Sequence, residues 1–247
     1  MRKIKFFFLI FLFLFLIGGI IIKWGKIKNF ECREEENLCQ EELKKELGSF
    51  LLGKNFLFFS SSKLRTEILN RYPLIKEIEV KKKFPWQLEI KIKKRQPMTG
   101  LAFSLNFNSE STPSAFLKWE IEEGIFLIDN EGVILEKKEK TDLPLILLKE
   151  KLNLSPGEKI KEEKIVKGVK ILEKMRLRLL EPKISYFSSQ FSFTVWLKEG
   201  VFVLFSLEKD IDYQLDSLQF ILSQSKIKMG KIKKIDLRFD KPVISYE

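Results

Sequence analysis

The chain has 247 residues, enough for one large or two small domains, and its hydrophobic fraction of 45% excludes long disordered stretches. The formal net charge is +11, but residues 1–28 contribute +6 of it with six basic residues and no acidic one, so the charge does not by itself indicate nucleic-acid binding. The absence of histidine excludes Ser-His and Cys-His nucleophiles and removes the commonest metal ligand.

The N-terminus carries the pattern of a membrane anchor. Phe6 to Ile22 form 17 consecutive residues without a polar side chain, about 26 Å of helix, and Trp24 extends the run to an interface. No A-x-A-like cleavage site follows. The pattern predicts a cytoplasmic tail at 1–5, an uncleaved single-pass anchor at 6–24 and an extracytoplasmic body, where nucleic acid is not an expected partner.

The two cysteines, Cys32 and Cys39, follow the predicted anchor. Two thiols cannot form a Cys₄ zinc site, and no histidine can complete a mixed one. The spacing leaves two alternatives open, a pair of free thiols or a small disulfide loop in an oxidising compartment. We expect neither a metal nor any other cofactor.

The next segment has the pattern of a small α+β domain. A strand is predicted near Phe30, a first helix at 38–47 and a second helix at 63–72. Two strands with alternating apolar residues follow, joined by the turn Phe84-Pro85-Trp86. Because two helices can cover one face of such a sheet, we expect a core of these apolar side chains: Leu38, Leu43, Leu47, Leu64, Ile68, Leu69, Ile78, Val80, Leu88, Ile90 and Ile92.

The hairpin at 73–97 is strongly basic on its polar side. Two interpretations of its lysines remain open. They could attract anionic lipid headgroups beside the membrane, at ~1 kcal/mol for each nearby lysine, or they could form a solvated face that protects a strand edge from aggregation.

The rest of the chain predicts a second, β-rich α+β unit. A Ser- and Asn-rich stretch at 104–118 is interpreted as a surface loop or insertion, and "GIFLIDNEGVILE" at 124–136 predicts two strands joined by a turn at 129–132. The later predicted elements are a helix at 158–180, strands at 191–197 and 201–207, a helix at 207–224 and a strand at 233–239 in which Ile235, Leu237 and Phe239 alternate.

Several of these segments, in this order, resemble the FtsQ/DivIB family of bacterial cell-division proteins. "GKNFLFF" at 53–59 is similar to the family's Gly-x-Asn-Leu-Phe stretch. "YPLIKEIEVKKKFPWQLEIKIKKRQPMTGL" at 72–101 resembles the paired strands of its POTRA domain with their closing Glu-Arg-x-Pro-Val-Ala. "FLIDNEGVILE", "LPLILL" at 143–148 and "IDLRF" at 235–239 resemble segments of its second domain.

The resemblance implies an α+β fold with a single N-terminal transmembrane helix, a POTRA domain of order β-α-α-β-β at 30–98 and a β-rich α+β domain at 99–247. It also implies a non-enzymatic scaffold at the division septum. Such a scaffold recruits small single-pass coiled-coil proteins of the FtsB/FtsL or DivIC/FtsL type and other divisome proteins, and so helps control septal peptidoglycan synthesis.

The partner-binding site implied by the resemblance lies on the last strands, where a partner adds a strand to the sheet. The final segment "PVISYE" is rich in β-branched residues and has no following cover, which favours an open edge. Two positions remain open, because Phe239 could instead be a core residue and Arg238 a solvated strand charge. The residues expected at this site are Arg238, Phe239, Val243, Ile244 and Ser245.

Two other functions share some of these sequence features. A membrane-anchored Ser-Lys transpeptidase uses S-x-x-K, S-x-N and K-T-G, and the chain holds "SSSK" at 60–63, "SLN" at 104–106 and "KEG" at 198–200 in that order. However, Glu199 puts negative charge where a substrate carboxylate would dock. An assembly protein of another envelope machine, such as a pilus or secretion apparatus, shares the anchor-plus-small-domain plan, but the Asp-Leu-Arg ending argues against it.

Overall fold

The computed structural model describes residues 25–35, 37–104, 122–225 and 232–246. It divides the chain into two compact units, the first ending at Arg95 and the second beginning at Gln96. The predicted anchor at 6–24 and nearly all of the predicted insertion at 104–118 lie outside the described residues. In the part of the chain that the structure describes, no helix is both long and apolar enough to span a membrane.

The first unit is an α+β domain built on a four-stranded sheet. Its elements in chain order are β1 (Asn29–Glu34), β2 (Asn37–Leu38), α1 (Glu41–Leu51), α2 (Ser61–Arg71), β3 (Ile75–Lys83) and β4 (Gln87–Lys94). The sheet order is β2-β1-β4-β3, with β1 parallel to β4 and the β3–β4 hairpin antiparallel. The predicted β-α-α-β-β order is confirmed, with the two-residue strand β2 added to it.

The first helix begins later than predicted, because residues 38 and 39 belong to a small hairpin. Leu38 lies in β2 and is 72% exposed, so its predicted core position is wrong. Cys39 is joined to Cys32 in a buried disulfide, and its N–H donates to the carbonyl of Cys32 at 3.2 Å. The disulfide closes the β1–β2 hairpin, and α1 therefore begins only at Glu41.

The β3–β4 hairpin separates apolar from charged residues by its alternation. The apolar residues of β4 are buried in one core with residues of both helices. On the opposite face lysines pair with glutamates, at 3.0 Å for Lys81–Glu79 and 3.1 Å for Lys83–Glu89. The hydrogen bond from Lys83 lowers the pKa of Glu89. This interleaving of opposite charges favours the solvated-face interpretation for the outer side of the hairpin.

The second unit is an α+β domain with a nine-stranded sheet. Its described elements in chain order are β5 (Thr99–Phe103), β6 (Glu122–Ile128), β7 (Ile134–Lys138), β8 (Leu145–Leu148), α3 (Glu163–Leu177), β9 (Pro182–Ser189), β10 (Ser192–Leu197), β11 (Phe202–Ser206), α4 (Ile211–Ser225), β12 (Ile232–Asp236) and β13 (Val243–Tyr246). The strand order is β13-β12-β11-β10-β9-β8-β5-β6-β7. Helix α3 connects the parallel strands β8 and β9, and helix α4 connects the parallel strands β11 and β12.

Helix α3 is shorter than the predicted span of 158–180. It begins at Glu163, because the preceding segment is extended and bonds to β7, where the N–H of Gly157 donates to the carbonyl of Ile134 at 2.8 Å. It ends at Leu177, and Leu179 then takes a left-handed φ of 58°. The apolar periodicity therefore predicted the helix correctly, but the predicted span is too long at both ends.

Helix α4 begins at Ile211 rather than at the predicted position 207, because side chains fix a turn before it. The carboxylate of Asp210 accepts a hydrogen bond from the N–H of Tyr213 at 2.8 Å, as an N-cap does. The buried Gln214 accepts from the N–H of Ser206 at 2.8 Å and donates to the carbonyl of Ser206 at 3.0 Å. These bonds tie the start of α4 to the end of β11.

Helix α3 approaches the sheet closely at Gly168, next to a core that also includes residues of α4 and most strands. A Cβ atom at Gly168 would lie 3.0 Å from the ring of Phe193 and 3.2 Å from the ring of Phe187. These distances are shorter than an ordinary carbon–carbon contact of about 3.5–4.0 Å. The absence of a side chain at Gly168 thus sets how closely the helix can pack.

We predict that Gly168→Val destabilises the protein by about 1–3 kcal/mol, because the added methyl groups overpack the rings below the helix. The matched control is Lys170→Val, an exposed position of the same helix, which should cost no more than about 0.5 kcal/mol. Thermal unfolding of both variants in detergent measures the difference. Equal unfolding temperatures for the two variants would contradict the close packing.

Candidate functional site

The C-terminal strand β13 is one end of the nine-stranded sheet. It pairs antiparallel with β12, with Ile244 opposite Ile235 and Val243 opposite Asp236. On its other side β12 pairs in parallel with β11, so β13 is held to the sheet through β12 alone. Within the described ranges, no segment pairs with the outer edge of β13. Its outward N–H and C=O groups form a template for another strand.

The side chains of β13 differ in how far they are covered. Ile244 is half-buried and packs against the core that contains Ile235, which fixes the strand on the sheet. Val243 and Tyr246 are each 52% exposed, and Ser245 is exposed as well. The predicted residues of this strand therefore divide into one that holds the strand in place and two that face solvent.

Arg238 is fixed beside this edge by an ion pair with Asp236, the last residue of β12. Its Nε and one terminal nitrogen donate to the two carboxylate oxygens of Asp236 at 2.9 and 2.6 Å, and its backbone N–H donates to the same carboxylate at 3.2 Å. A further bond, 3.4 Å long, reaches the hydroxyl of Ser192. Arg238 is thus a positioned side chain, and the alternative of a solvated strand charge is wrong.

The environment of Asp236 keeps this pair charged. Burial by itself raises the pKa of the Asp236 carboxyl, but the hydrogen bonds and the attraction from Arg238 outweigh burial, so its pKa lies below the ordinary value. The same hydrogen bonds raise the pKa of Arg238. Both groups therefore remain ionised at neutral pH, and the bidentate geometry holds the guanidinium in one orientation.

Phe239 lies in the loop between β12 and β13, not on a strand. The predicted strand at 233–239 ends at Asp236, and the alternation that placed Phe239 in line with Leu237 breaks at the Arg238 turn. Phe239 is 55% exposed, so it is not a core residue, and its ring lies 5.8 Å from the guanidinium carbon of Arg238. The structure thus brings Arg238 and Phe239 together on the surface next to β13.

Two residues of this edge were absent from the sequence-based prediction. Tyr246 shares the exposure of Val243, and the strand pattern of "VISY" could have indicated it. Asp236 was assigned to a strand, and nothing in the sequence alone shows that its carboxylate orients Arg238. The pairing becomes visible only when the turn after β12 is known.

The other end of the sheet, β7, is protected in ways that β13 is not. The segment before α3 bonds to the start of β7, where the N–H of Ile134 donates to the carbonyl of Glu158 at 2.9 Å. The second half of β7 is exposed and charged, with Lys138 paired to Glu136 at 2.8 Å. Covering segments and charges are common means of blocking an edge. Among the described residues, no segment covers the outer edge of β13.

Two of the motif-like residues of the transpeptidase alternative, Ser60 and Lys198, interact with neighbouring side chains. The hydroxyl of Ser60 lies 2.9 Å from the hydroxyl of Ser62, next to the first turn of α2. Lys198 is paired with Glu181 at 2.6 Å, and this hydrogen bond raises its pKa, whereas a lysine acting as a general base needs a lowered one. These positions carry ordinary surface interactions.

Two family models match the chain. The model described as the FtsQ-type POTRA domain matches residues 25–95, and the model described as the C-terminal part of the cell division protein FtsQ/DivIB matches residues 118–238. The second match ends at Arg238, so it includes the Asp236–Arg238 pair and stops before β13. A search among curated proteins found no match to the chain.

We predict that Arg238→Ala raises the pKa of Asp236, because burial then acts without the opposing guanidinium. In the unsubstituted protein the lowered pKa contributes stability that is present above the ordinary value of about 3.9 and is lost as the pH falls through the folded-state value. A carbon NMR titration of the Asp236 carboxyl measures the shift. Lys241→Ala, an exposed cation in the same loop, serves as the control and should leave that pKa unchanged. An unchanged pKa in Arg238→Ala would contradict the account of the pair.

Proposed function

Because this chain belongs to the FtsQ/DivIB family of cell-division proteins, we propose that it is a non-enzymatic scaffold that holds small single-pass coiled-coil proteins at the division septum. The family is non-catalytic, and its members are membrane-anchored proteins of the septum. In this proposal the partner adds a strand to the outer edge of β13. The observation that carries it is the open edge of β13 with three exposed apolar side chains beside it: Phe239, Val243 and Tyr246.

Strand addition suits this edge for a physical reason. Main-chain hydrogen bonds supply affinity in a fixed register, and exposed side chains next to the strand supply specificity. Ile244 anchors β13 to the core, so the template is ordered before the partner arrives. The partner then loses conformational freedom, whereas the scaffold loses little.

The charges around the edge favour an acidic partner strand. The carboxylate of Asp236 is paired with Arg238, and that of Asp240 is paired with Lys209 at 2.6 Å. Three further lysines lie on β12 and in the following loop: Lys233, Lys234 and Lys241. A strand with carboxylates at matching positions would meet complementary charge, which speeds association and fixes register.

Confinement to the membrane is the second part of the proposal. The predicted anchor at 6–24 is expected to hold the chain in the membrane, and the disulfide between Cys32 and Cys39 supports an oxidising, extracytoplasmic location for the body. When scaffold and single-pass partners share one membrane, their effective concentration rises. A modest strand interface is then sufficient for stable recruitment.

We predict that Phe239→Glu reduces partner recruitment about tenfold or more, because it removes an exposed aromatic contact and places negative charge beside the edge. The matched control is Phe220→Glu, since Phe220 is 66% exposed and lies on α4, outside β12, β13 and the loop between them. Affinity purification from detergent-solubilised membranes, with quantitative mass spectrometry of the single-pass partners, measures recruitment.

Thermal unfolding of both variants separates loss of binding from loss of folding. A Phe239→Glu protein that is as stable as the control and recruits the partners normally would overturn the assignment of the docking edge. Normal division in cells that depend on this stable variant would have the same meaning.

A further inference from the structure

One end of the first unit carries an exposed aromatic cluster, here called the aromatic tip and defined as Phe56, Leu57, Phe58, Phe84 and Trp86. Three chain segments meet there: 25–28, 52–60 and 81–86. The N–H of Phe56 donates to the carbonyl of Gly25 at 2.6 Å, and the N–H of Lys28 donates to the carbonyl of Trp86 at 3.2 Å. The tip is therefore a built part of the fold, with its backbone tied together by hydrogen bonds.

The aromatic rings of the tip rest on one buried ring. Phe56 is buried, and its ring centroid lies 6.0 Å from that of Phe84 and 5.8 Å from that of Trp86 in edge-to-face arrangements. Phe84, whose ring contacts that of Phe56, is 78% exposed, and two residues that follow Phe56 in the chain, Leu57 and Phe58, are 46% and 77% exposed. Large apolar side chains with such exposure, grouped at one end of a domain, mark an interaction surface.

The charged residues of the three segments that form the tip are six lysines, with no acidic residue among them. Lys81 and Lys83 pair with Glu79 and Glu89 outside the tip, and the other four are Lys26, Lys28, Lys54 and Lys82. Lys82 lies 5.4 Å from the ring centroid of Phe56 and donates to the carbonyl of Leu57 at 3.3 Å, so its ammonium group stays at the rim of the aromatic side chains. The tip thus combines exposed rings with a surrounding set of cations, the combination that partitions into an anionic membrane interface.

The position of the tip in the chain places it next to the predicted anchor. Gly25, which is bonded into the tip, follows the apolar run that ends at Ile22 by three residues. Three extended residues span at most about 11 Å. If residues 6–24 cross the membrane, the tip must therefore lie within the depth of the headgroup region or next to it, whatever the tilt of the domain.

We propose that the aromatic tip inserts into the outer face of the bilayer, with Phe58 and Phe84 at the boundary between headgroups and acyl chains and the lysines on anionic headgroups. The inference rests on the membrane anchoring in the proposed function. It assigns a second membrane contact to the protein, one made by the folded domain itself. The contact fixes the first unit against the membrane, so that its orientation does not depend on the anchor alone.

Two positions of one hairpin allow the depth of insertion to be compared. Strand β4 begins at the tip with Gln87 and runs away from it, so that Lys93 lies about 20 Å further along the sheet. Lys93 is exposed and belongs to the same hairpin as Phe84. The two positions therefore report on depth within one rigid element.

The test uses the full chain, reconstituted in vesicles of phosphatidylethanolamine and phosphatidylglycerol. Phe84→Cys and Lys93→Cys are labelled separately with an environment-sensitive fluorophore. The label reacts with the introduced thiol, because Cys32 and Cys39 are joined in a disulfide. Lipids with a nitroxide at a shallow acyl position should quench most of the emission at position 84 and none at position 93.

The possible results distinguish failure of the tip proposal from failure of the predicted membrane anchor. Resistance to carbonate extraction first shows whether the chain is inserted. An inserted chain whose label at position 84 is not quenched would overturn the tip proposal and leave the anchor intact, whereas a chain that is not inserted would overturn both. A photoreactive residue at position 84 gives the corresponding test in cells, where adducts with protein instead of lipid would assign the tip to a protein partner.

Discussion

The nine-stranded sheet of the second unit has two edge strands, β7 and β13. The difference in how these two strands are covered determines what the unit can bind. The start of β7 is bonded to the segment before α3, where the N–H of Ile134 donates to the carbonyl of Glu158, and the rest of that strand is charged. At the other end, β13 is held by β12 and by the contact of Ile244 with the core, and its outer side is open among the described residues. An open edge is a liability unless it has a partner. The difference between the two ends is therefore the physical basis for a scaffold function.

Interactions within the protein fix the residues that lie next to the outer edge of β13. Asp236 fixes Arg238, and the guanidinium carbon of Arg238 lies 5.8 Å from the ring centroid of Phe239, so a partly buried ion pair stands next to the exposed aromatic residue. Burial of Asp236 opposes its ionisation, and the guanidinium overcomes that effect. Removing Arg238 would leave the buried Asp236 carboxylate without its charged partner, which is unfavourable because burial disfavours the ionised form. The loop that carries Phe239 thus follows directly on an ion pair formed within the protein itself.

Apolar periodicity was sufficient to predict the element order of the first unit and most elements of the second, because alternation and three-to-four spacing report directly on one buried face. It failed where local bonds override the pattern. Leu38 was assigned to a helix, but the disulfide and the β1–β2 hairpin place it in a strand. Phe239 continued the alternation of β12 only in the sequence, since the bonds between Asp236 and Arg238 turn the chain before it. The hydrogen bond from Gly157 to β7 likewise makes α3 begin later in the chain than predicted. The protection of β7 by the segment before α3 could not be predicted from the sequence and required the fold.

The central claim is that partners bind along β13, and site-specific photocrosslinking in cells tests it most directly. The probe replaces Ser245, which is exposed on β13, and the control probe replaces Lys138, which is exposed on β7 at the opposite end of the same sheet. We expect adducts with a small single-pass coiled-coil protein from position 245 and none from position 138. Adducts from position 138 alone, adducts with a component of another envelope machine, or no adducts from a folded and membrane-inserted protein would contradict the account.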